Sequence, residues 1–425
     1  MTSTEHRATE TGGREATTRL ISPRLALAVG MPATSAPRGW RWTPLTELAR
    51  LESGHTPSRK NPEYWGGSIP WIGIQDAKAN SGKRIDDTHE KTNDLGIANS
   101  SARILPANTV CLSRTASVGY VLVMGRPMAT SQDFLNWVCS ADLHPDFLKY
   151  LFVAEGKGIL RFASGSVHQT IYFPEAKAFH ICHPSLAEQR RIVAILDEAF
   201  DGIATARAHA EHDRQNARAL FESQLHAVFS QQSEGWLEST VDKIATNFDS
   251  KRIPITKSDR KSGEYPYYGA SGIVDYVADY IFDGDALLVS EDGANLLARS
   301  TPIAFSVTGK YWVNNHAHIL KFENTATQRF VEFYFASIRL DEFITGAAQP
   351  KLNQQALNSI PISIPPTIAE QAGIVERIET WQGEARRLES LYQRKLAALD
   401  ELKRSLLHQA FTGQLTVDHV EECLA

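Results

Sequence analysis

Apolar residues recur at steps of four and three along two long stretches of this chain. The first passes through Ile192, Leu196, Ala199, Ile203, Ala206, Ala210, Asp213, Ala217 and Leu220. The second passes through Ile374, Ile378, Trp381, Ala385, Leu388, Tyr392, Lys395, Leu399, Leu402 and Leu406. An apolar period near 3.5 residues, held over several heptads, predicts coiled-coil helices, with the polar residues Asp213 and Lys395 either fixing register within the seam or lying at its edge and reaching to solvent. Ser185 with Glu188, and Thr367 with Glu370, form S/T-x-x-E capping boxes that define each start. Gly413 predicts the stop of the second helix. At 1.5 Å per residue, a helix of about 45 residues is a rod of about 65 Å, and its stripe needs a partner. The nearest candidate is the other rod, so an antiparallel pair is expected.

Between these stretches the pattern shortens to strand length. Residues 69–74, 109–113, 120–123 and 134–138 read as strands divided by Gly, Pro, Asn and Ser clusters, and 286–289, 303–307 and 317–320 read the same way. A helical pattern follows each set, at 145–153 and 328–338. The fold class is therefore α+β: two globular domains joined by two long helices, with an internal repeat.

The repeat is visible residue by residue. PSLAEQ at 184–189 returns as PTIAEQ at 366–371, and the same offset of 182 pairs Leu220 with Leu402, Leu225 with Leu407, His226 with His408 and Phe229 with Phe411. A matching Gly–Trp opens each globular part, at Gly39–Trp40 and Gly235–Trp236. The expected organisation is a flexible leader (1–38), a first globular domain (39–183), a long helix (184–234), a second globular domain (235–365), a second long helix (366–415) and a tail (416–425).

Composition narrows the class. At 42% hydrophobic and 22% charged over 425 residues, the chain has the balance of a soluble multidomain protein. No stretch is apolar enough to span a bilayer, and a cytoplasmic protein is expected. Cys111, Cys139, Cys182 and Cys423 show no CxxC spacing, so neither a disulfide framework nor a zinc or other metal site is implied. The net charge of −5 conceals local basic clusters: Lys251, Arg252, Lys257, Arg260 and Lys261, and the pairs Arg59–Lys60 and Lys83–Arg84.

The chain resembles the specificity subunit of type I restriction-modification systems over nearly all of Trp40 to Leu415. The resemblance is carried by TPSRKNPEYWGGSIPWI (56–72), TSQDF (130–134), SGSVHQTIYFPEAKAFHICHPSLAEQRRIVAILD (164–197), PYYGASGIVDYV (266–277), WVNNHAHIL (312–320), PKLNQQALNSIPI (350–362), PPTIAEQAGIVERIE (365–379) and HQAFTGQL (408–415). It implies that each reader, a target-recognition domain, reads one half of a split double-stranded DNA site. It further implies that the helices space the readers and dock two modification subunits that methylate adenine with S-adenosylmethionine, and that restriction subunits add ATP- and Mg-dependent translocation and cleavage. This chain carries no G-x-x-x-x-G-K-[ST] loop and no Asn-Pro-Pro-aromatic adenine pocket, so cofactors and chemistry are expected on other chains and none here.

For the first reader, the DNA-binding candidates are the turn Thr56, Ser58, Arg59 and Lys60, then Arg114, Ser131, Gln132 and Gln169. Arg114 and Gln132 are the base-reading choices, since Arg pairs with guanine and Gln with adenine bidentately; Ser58 and Lys60 suit phosphate. For the second they are Lys251, Arg252, Tyr267, Tyr268, Ser271, Arg299, Asn314 and Lys351, with Lys351 matching Gln169 under the 182 offset. The subunit-docking candidates are Arg190, Arg191, Arg377, Arg386 and Arg387 on the outer helix faces. The alternative to a DNA reader is a non-catalytic coiled-coil adaptor whose globular domains bind protein.

Overall fold

The computed structural model describes Leu27 and residues 36–115, 117–165, 169–230, 235–346 and 348–415. Most of the expected leader and the whole tail lie outside these residues. Leu27, inside the expected leader, is fully buried in the first reader's core and donates its N–H to His180 O at 2.9 Å.

The described residues divide into two compact units. One holds the chain to Ala208 together with Ala397 onward, and the other holds His209–Leu396, so both long helices are shared between units. In the first unit the strands are β1 (Arg41–Pro44), β2 (Ala49–Ser53), β3 (Trp65–Ile72), β4 (Arg84–Ile85), β5 (Glu90–Thr92), β6 (Val110–Ser113), β7 (Val121–Met124), β8 (Ala129–Thr130), β9 (Phe134–Cys139) and β10 (His180–His183). Helix α1 (Pro145–Glu155), α2 (Phe173–Lys177) and the start of α3 (Leu186–Ser230) complete it. The strands form a five-stranded sheet ordered β2-β9-β6-β7-β4, a three-stranded sheet β5-β3-β8 and a two-stranded clasp β1-β10.

The second unit repeats this plan with β11 (Leu237–Thr240), β12 (Thr246–Asn247), β13 (Ser262–Gly269), β14 (Gly272–Val277), β15 (Phe282–Asp283), β16 (Ala286–Ser290), β17 (Ala304–Val307), β18 (Lys310–Val313), β19 (Ala317–Lys321) and β20 (Pro361–Ile364). Its sheets are β12-β19-β16-β17, β14-β13-β18-β15 and the clasp β11-β20. Its helices are α4 (Thr325–Ser337), α5 (Gln354–Ser359) and the start of α6 (Ile368–Phe411). The expected strand at 69–74 is displaced, because the chain turns at Gly73 and enters a short helix at Ile74–Ala79.

The repeated Gly–Trp has the same packing role twice. Trp40 packs on Phe147 of α1 with centroids 6.0 Å apart, and Trp236 packs edge-on against Phe330 of α4 at 5.6 Å. The far ends of the long helices fill the other side: Phe411 meets Phe147 at 5.2 Å, and Phe229 meets Phe330 at 5.2 Å. Each reader core therefore contains the start of one long helix and the end of the other. Ile192, Leu196, Leu407 and Phe411 belong to the first core, and Leu225, Val375 and Ile378 to the second.

Within each unit the two long helices pair antiparallel. Arg207 forms an ion pair with Asp400, and Lys403 lies 4.8 Å over the Phe200 ring. In the other unit Tyr392 lies beside Asp213. This corrects the expected seam: Lys395 is exposed while Leu396, one residue on, is half-buried. Leu220 and Leu402 are likewise exposed, at 58% and 47%, and Phe221 takes over the buried stripe. A straight helix drifts away from a strict 3.5 period, so extrapolating steps of four and three slips off the face.

The capping boxes also differ. Thr367 and Glu370 satisfy each other's backbone N–H groups at 3.3 and 3.2 Å, whereas Glu188 N reaches Ser185 Oγ at 3.4 Å while the Glu188 carboxylate turns to Arg191. Thr367→Ala is therefore expected to cost about 1 kcal/mol, and Ser185→Ala less, read as the shift in thermal midpoint. Equal losses would contradict the difference between the two starts. Gly413 adopts φ +80°, as a stop residue should.

Candidate nucleic-acid interface

In the first reader, loops leaving β2, β6 and β8 converge with the segment before α2. Gly54 makes this possible: a Cβ there would lie 2.1 Å from both Ser131 O and Thr130 Oγ1. His55 N donates to Thr130 O at 2.9 Å and Ser131 N to Ile72 O at 3.0 Å, knitting the loops together. On this base the exposed Gln132 amide accepts the Thr56 hydroxyl at 2.6 Å. Its carbonyl oxygen keeps a second lone pair and its nitrogen both donors, the pattern that adenine's N6/N7 edge requires.

Ser58, Lys60 and Gln169 are exposed, as a contact role needs. Arg59 is partly committed to the fold. Its guanidinium lies 4.0 Å over Trp65 and 5.1 Å over Trp71, and it grips Glu90, which lowers the Glu90 pKa and raises its own. Trp65 and Trp71 meet edge to face at 5.1 Å, so Trp65 packs within the turn.

Two first-reader candidates are engaged within the fold. Arg114 donates Nε to Gln132 O at 3.0 Å and Nη1 to Ile171 O at 3.3 Å, while burial lowers its pKa against the pull of Asp133. It braces the loops that carry Gln132. Ser131 is 2% exposed, and its hydroxyl bonds Asp133 inside the turn.

The second reader departs further from expectation. Tyr267 is buried, with its hydroxyl receiving Ile255 N at 3.2 Å, and Asn314 is buried with its Oδ1 accepting His316 N at 2.8 Å. Tyr268 is half-buried between Phe305 and Tyr311. Arg299, in the left-handed region at φ +51°, caps the end of α4 through Phe335 O at 3.0 Å and Ile338 O at 2.9 Å. Ser271, at the tip between β13 and β14, and Lys251, 4.3 Å over Phe248, remain exposed.

Arg252 belongs to a buried charge network that the sequence did not reveal. It donates to Glu291 at 2.6 Å and to Ala317 O at 2.8 Å, and lies 3.6 Å from Asp249. His318 bonds Asp249 through Nδ1 and Leu352 O through Nε2 at 2.7 Å, and Lys351 reaches Glu291 at 3.2 Å. Burial opposes ionisation of Asp249 and Glu291, yet the bond from His318 to Asp249 and that from Arg252 to Glu291 prevail and hold both pKa values low. Asp249, Glu291 and His318 could in geometry surround a cation. Arg252 and Lys351 already supply the positive charge, so the cluster reads as a structural knot.

The bridges also correct one equivalence. Thr170 pairs with Ser164 and Thr115 as Lys351 pairs with Thr345 and Asp292, so Lys351 matches Thr170 and not Gln169. Ile171 N donates to Arg114 O as Leu352 N donates to Glu291 O, which makes Glu291 the counterpart of Arg114.

A family model described as "Type I restriction modification DNA specificity domain" matches residues 37–210 and 233–392. The chain belongs to that family. A relative in Haemophilus influenzae is 36% identical over 139 residues, 33% of this chain and 35% of that one. The type I restriction enzyme MjaIX specificity subunit of Methanocaldococcus jannaschii is 28% identical over 189 residues, 44% of each chain. The chain thus spans less than half of either relative. The EcoprrI specificity subunit of Escherichia coli aligns more fully, 25% identical over 362 residues, 80% of this chain and 87% of that one. A solved chain from a study of complex assembly in a type I R-M system shares the fold, with TM-score 0.72 at 17% identity, covering 90% of this chain and 100% of that one.

Of the arginines expected to dock subunits, Arg190, Arg377, Arg386 and Arg387 are exposed on the long helices. Arg191 is spent internally, bonding Glu188 at 2.9 and 2.8 Å and the carbonyl of Leu415. No helix among the described residues is long and apolar enough to cross a membrane.

Proposed function

We propose that this chain is the sequence-specific DNA-recognition subunit of a type I restriction-modification complex, each reader recognising one half of a bipartite double-stranded site. The long helices space the readers and dock two adenine-methylating modification subunits through exposed arginines such as Arg386 and Arg387. S-adenosylmethionine, ATP and Mg belong to those partners and to restriction subunits, and this chain is a non-catalytic cytoplasmic member. One observation carries the reading: the family's specificity domain occurs twice, each copy presenting exposed polar side chains on braced loops. Two modest readers on one chain multiply their discrimination through effective concentration.

Mapping N6-methyladenine in cells with and without this chain tests it. A bipartite methylated motif that depends on the chain is the expected result, and no chain-dependent methylation together with no DNA affinity would indicate the protein-binding adaptor. Within the motif, Gln132→Ala is expected to relax one position of one half by about 1–3 kcal/mol of discrimination. Lys60→Ala is expected to weaken all sequences alike and lower the salt slope by about 1. A Gln132→Ala effect spread over both halves would count against the placement of that residue.

A further inference from the structure

Each reader is fastened to its own long helix by two polar rungs, and the repeat preserves both. The first rung is a buried glutamine. Gln189 is 0% exposed; its Nε2 donates to Asp142 O and Pro184 O, both at 3.1 Å, and its Oε1 accepts His144 N at 2.9 Å. Gln371 is 6% exposed; its Nε2 donates to Pro365 O at 2.9 Å and its Oε1 accepts the Thr327 hydroxyl at 2.6 Å. In both copies the oxygen is held by the reader helix, at its entry in α1 and in its first turn in α4.

The second rung is a carboxylate eight residues later, at Asp197 and Glu379. Asp197 accepts the Tyr150 hydroxyl from α1, and Glu379 accepts Arg329 from α4 at 3.0 and 2.8 Å. Burial and the Asp197 bond raise the Tyr150 pKa, so the phenol donates. The partners differ in chemistry while position and direction are kept. Eight residues are about 12 Å along a helix, a little over two turns, so both side chains lie on the side that meets the reader.

The side chains that enter the reader core between the rungs are apolar: Ile192, Val193 and Leu196 in one copy and Ile374, Val375 and Ile378 in the other. Hydrophobic contact is non-directional and permits a helix to slide or turn on its bed, whereas a buried amide left unpaired is costly and a hydrogen bond has a fixed reach. Two such points on one face fix both register and angle.

We propose that Gln189 with Asp197, and Gln371 with Glu379, are positioning residues that set the angle of each reader on its helix and thereby the separation of half-sites that the protein accepts. The inference rests on the DNA-reading function proposed above. It assigns the angular part of that separation to these four side chains, added to the length that the long helices set.

The test uses the complex purified from cells producing this chain with its modification subunits. The motif mapped for the unaltered complex is placed on plasmids with its spacer native, one base pair shorter or one longer. In Gln189→Leu with Asp197→Ala, and in Gln371→Leu with Glu379→Ala, the preference for the native spacer is expected to fall roughly tenfold while half-site sequences are kept. Should the double variants fail to fold, Tyr150→Phe and Glu379→Ala each remove a single rung and are expected to lower the preference in the same direction. Folded variants with an unchanged preference, or with methylation reduced equally on all spacers, overturn the inference, because a merely structural role produces that pattern. An unaltered complex that methylates no bipartite motif overturns the DNA-reading assignment instead.

Discussion

Asp249→Ala is expected to unfold the second reader selectively and to abolish methylation at every site that requires its half. Asp249 accepts Ile319 N at 2.9 Å and Asn247 at 3.2 Å, bonds His318 Nδ1 and lies 3.6 Å from Arg252, so its loss leaves the buried His318 ring and a backbone donor without their partner. Breaking a buried ion network by removing one member costs about 3–5 kcal/mol, a large share of a domain's stability. Among the described residues the first reader has no matching network at the equivalent strand positions. Strand register places Ser53 and Leu135 at the positions held by Asp249 and His318. Hydrogen exchange resolved by segment should therefore show residues 249–352 losing protection while 41–183 keep theirs.

The same network fixes the sign of a pH effect. Asp249 and Glu291 hold folded pKa values below their usual ones, so the stability they contribute is present above the unfolded values of about 3.9 and 4.3 and is lost as pH falls through the folded values. On acidification the second reader is expected to lose this contribution, and Asp249→Asn should flatten its acid profile. An acid profile of the second reader unchanged by Asp249→Asn would contradict it.

The long helices were legible because their pattern is local: caps, period and the repeated PSLAEQ and PTIAEQ phrases lie on contiguous residues. The strands were legible for the same reason, as β6, β7, β9, β16, β17 and β19 show. Side-chain roles were not, because they depend on what folding brings alongside. Arg114 looks like a guanine reader until Gln132 O and Ile171 O arrive beside it. Arg252 looks like part of a basic patch until Glu291, 39 residues on, neutralises it. One signal did exist: His318 interrupts the apolar strand AHIL, a polar residue where the period demands an inward side chain, and such a violation marks a buried partner. The glutamines of the repeated phrase gave another, since a helix start needs no glutamine at that position.

Exchanging residues 237–364 for the second reader of another family member is expected to replace one half of the methylated motif completely and leave the other untouched. The fold makes this segment a self-contained insert. Its two ends are the strands β11 and β20, paired antiparallel from Leu237 opposite Ile364 to Thr240 opposite Pro361, so the chain enters and leaves at neighbouring points. A cut at 266–352 should fail, because it leaves β12 behind while replacing β19, to which β12 pairs through Asn247 and Leu320. The incoming reader must also meet the helix that stays. Thr327 and Arg329 travel with the insert, whereas Gln371 and Glu379 remain, so a donor with other residues at the two α4 positions is expected to bring its sequence preference but a loosened spacer. Restoring threonine and arginine there should tighten the spacer without altering the new half-site; a spacer indifferent to those two residues would leave half-site separation to the long helices alone.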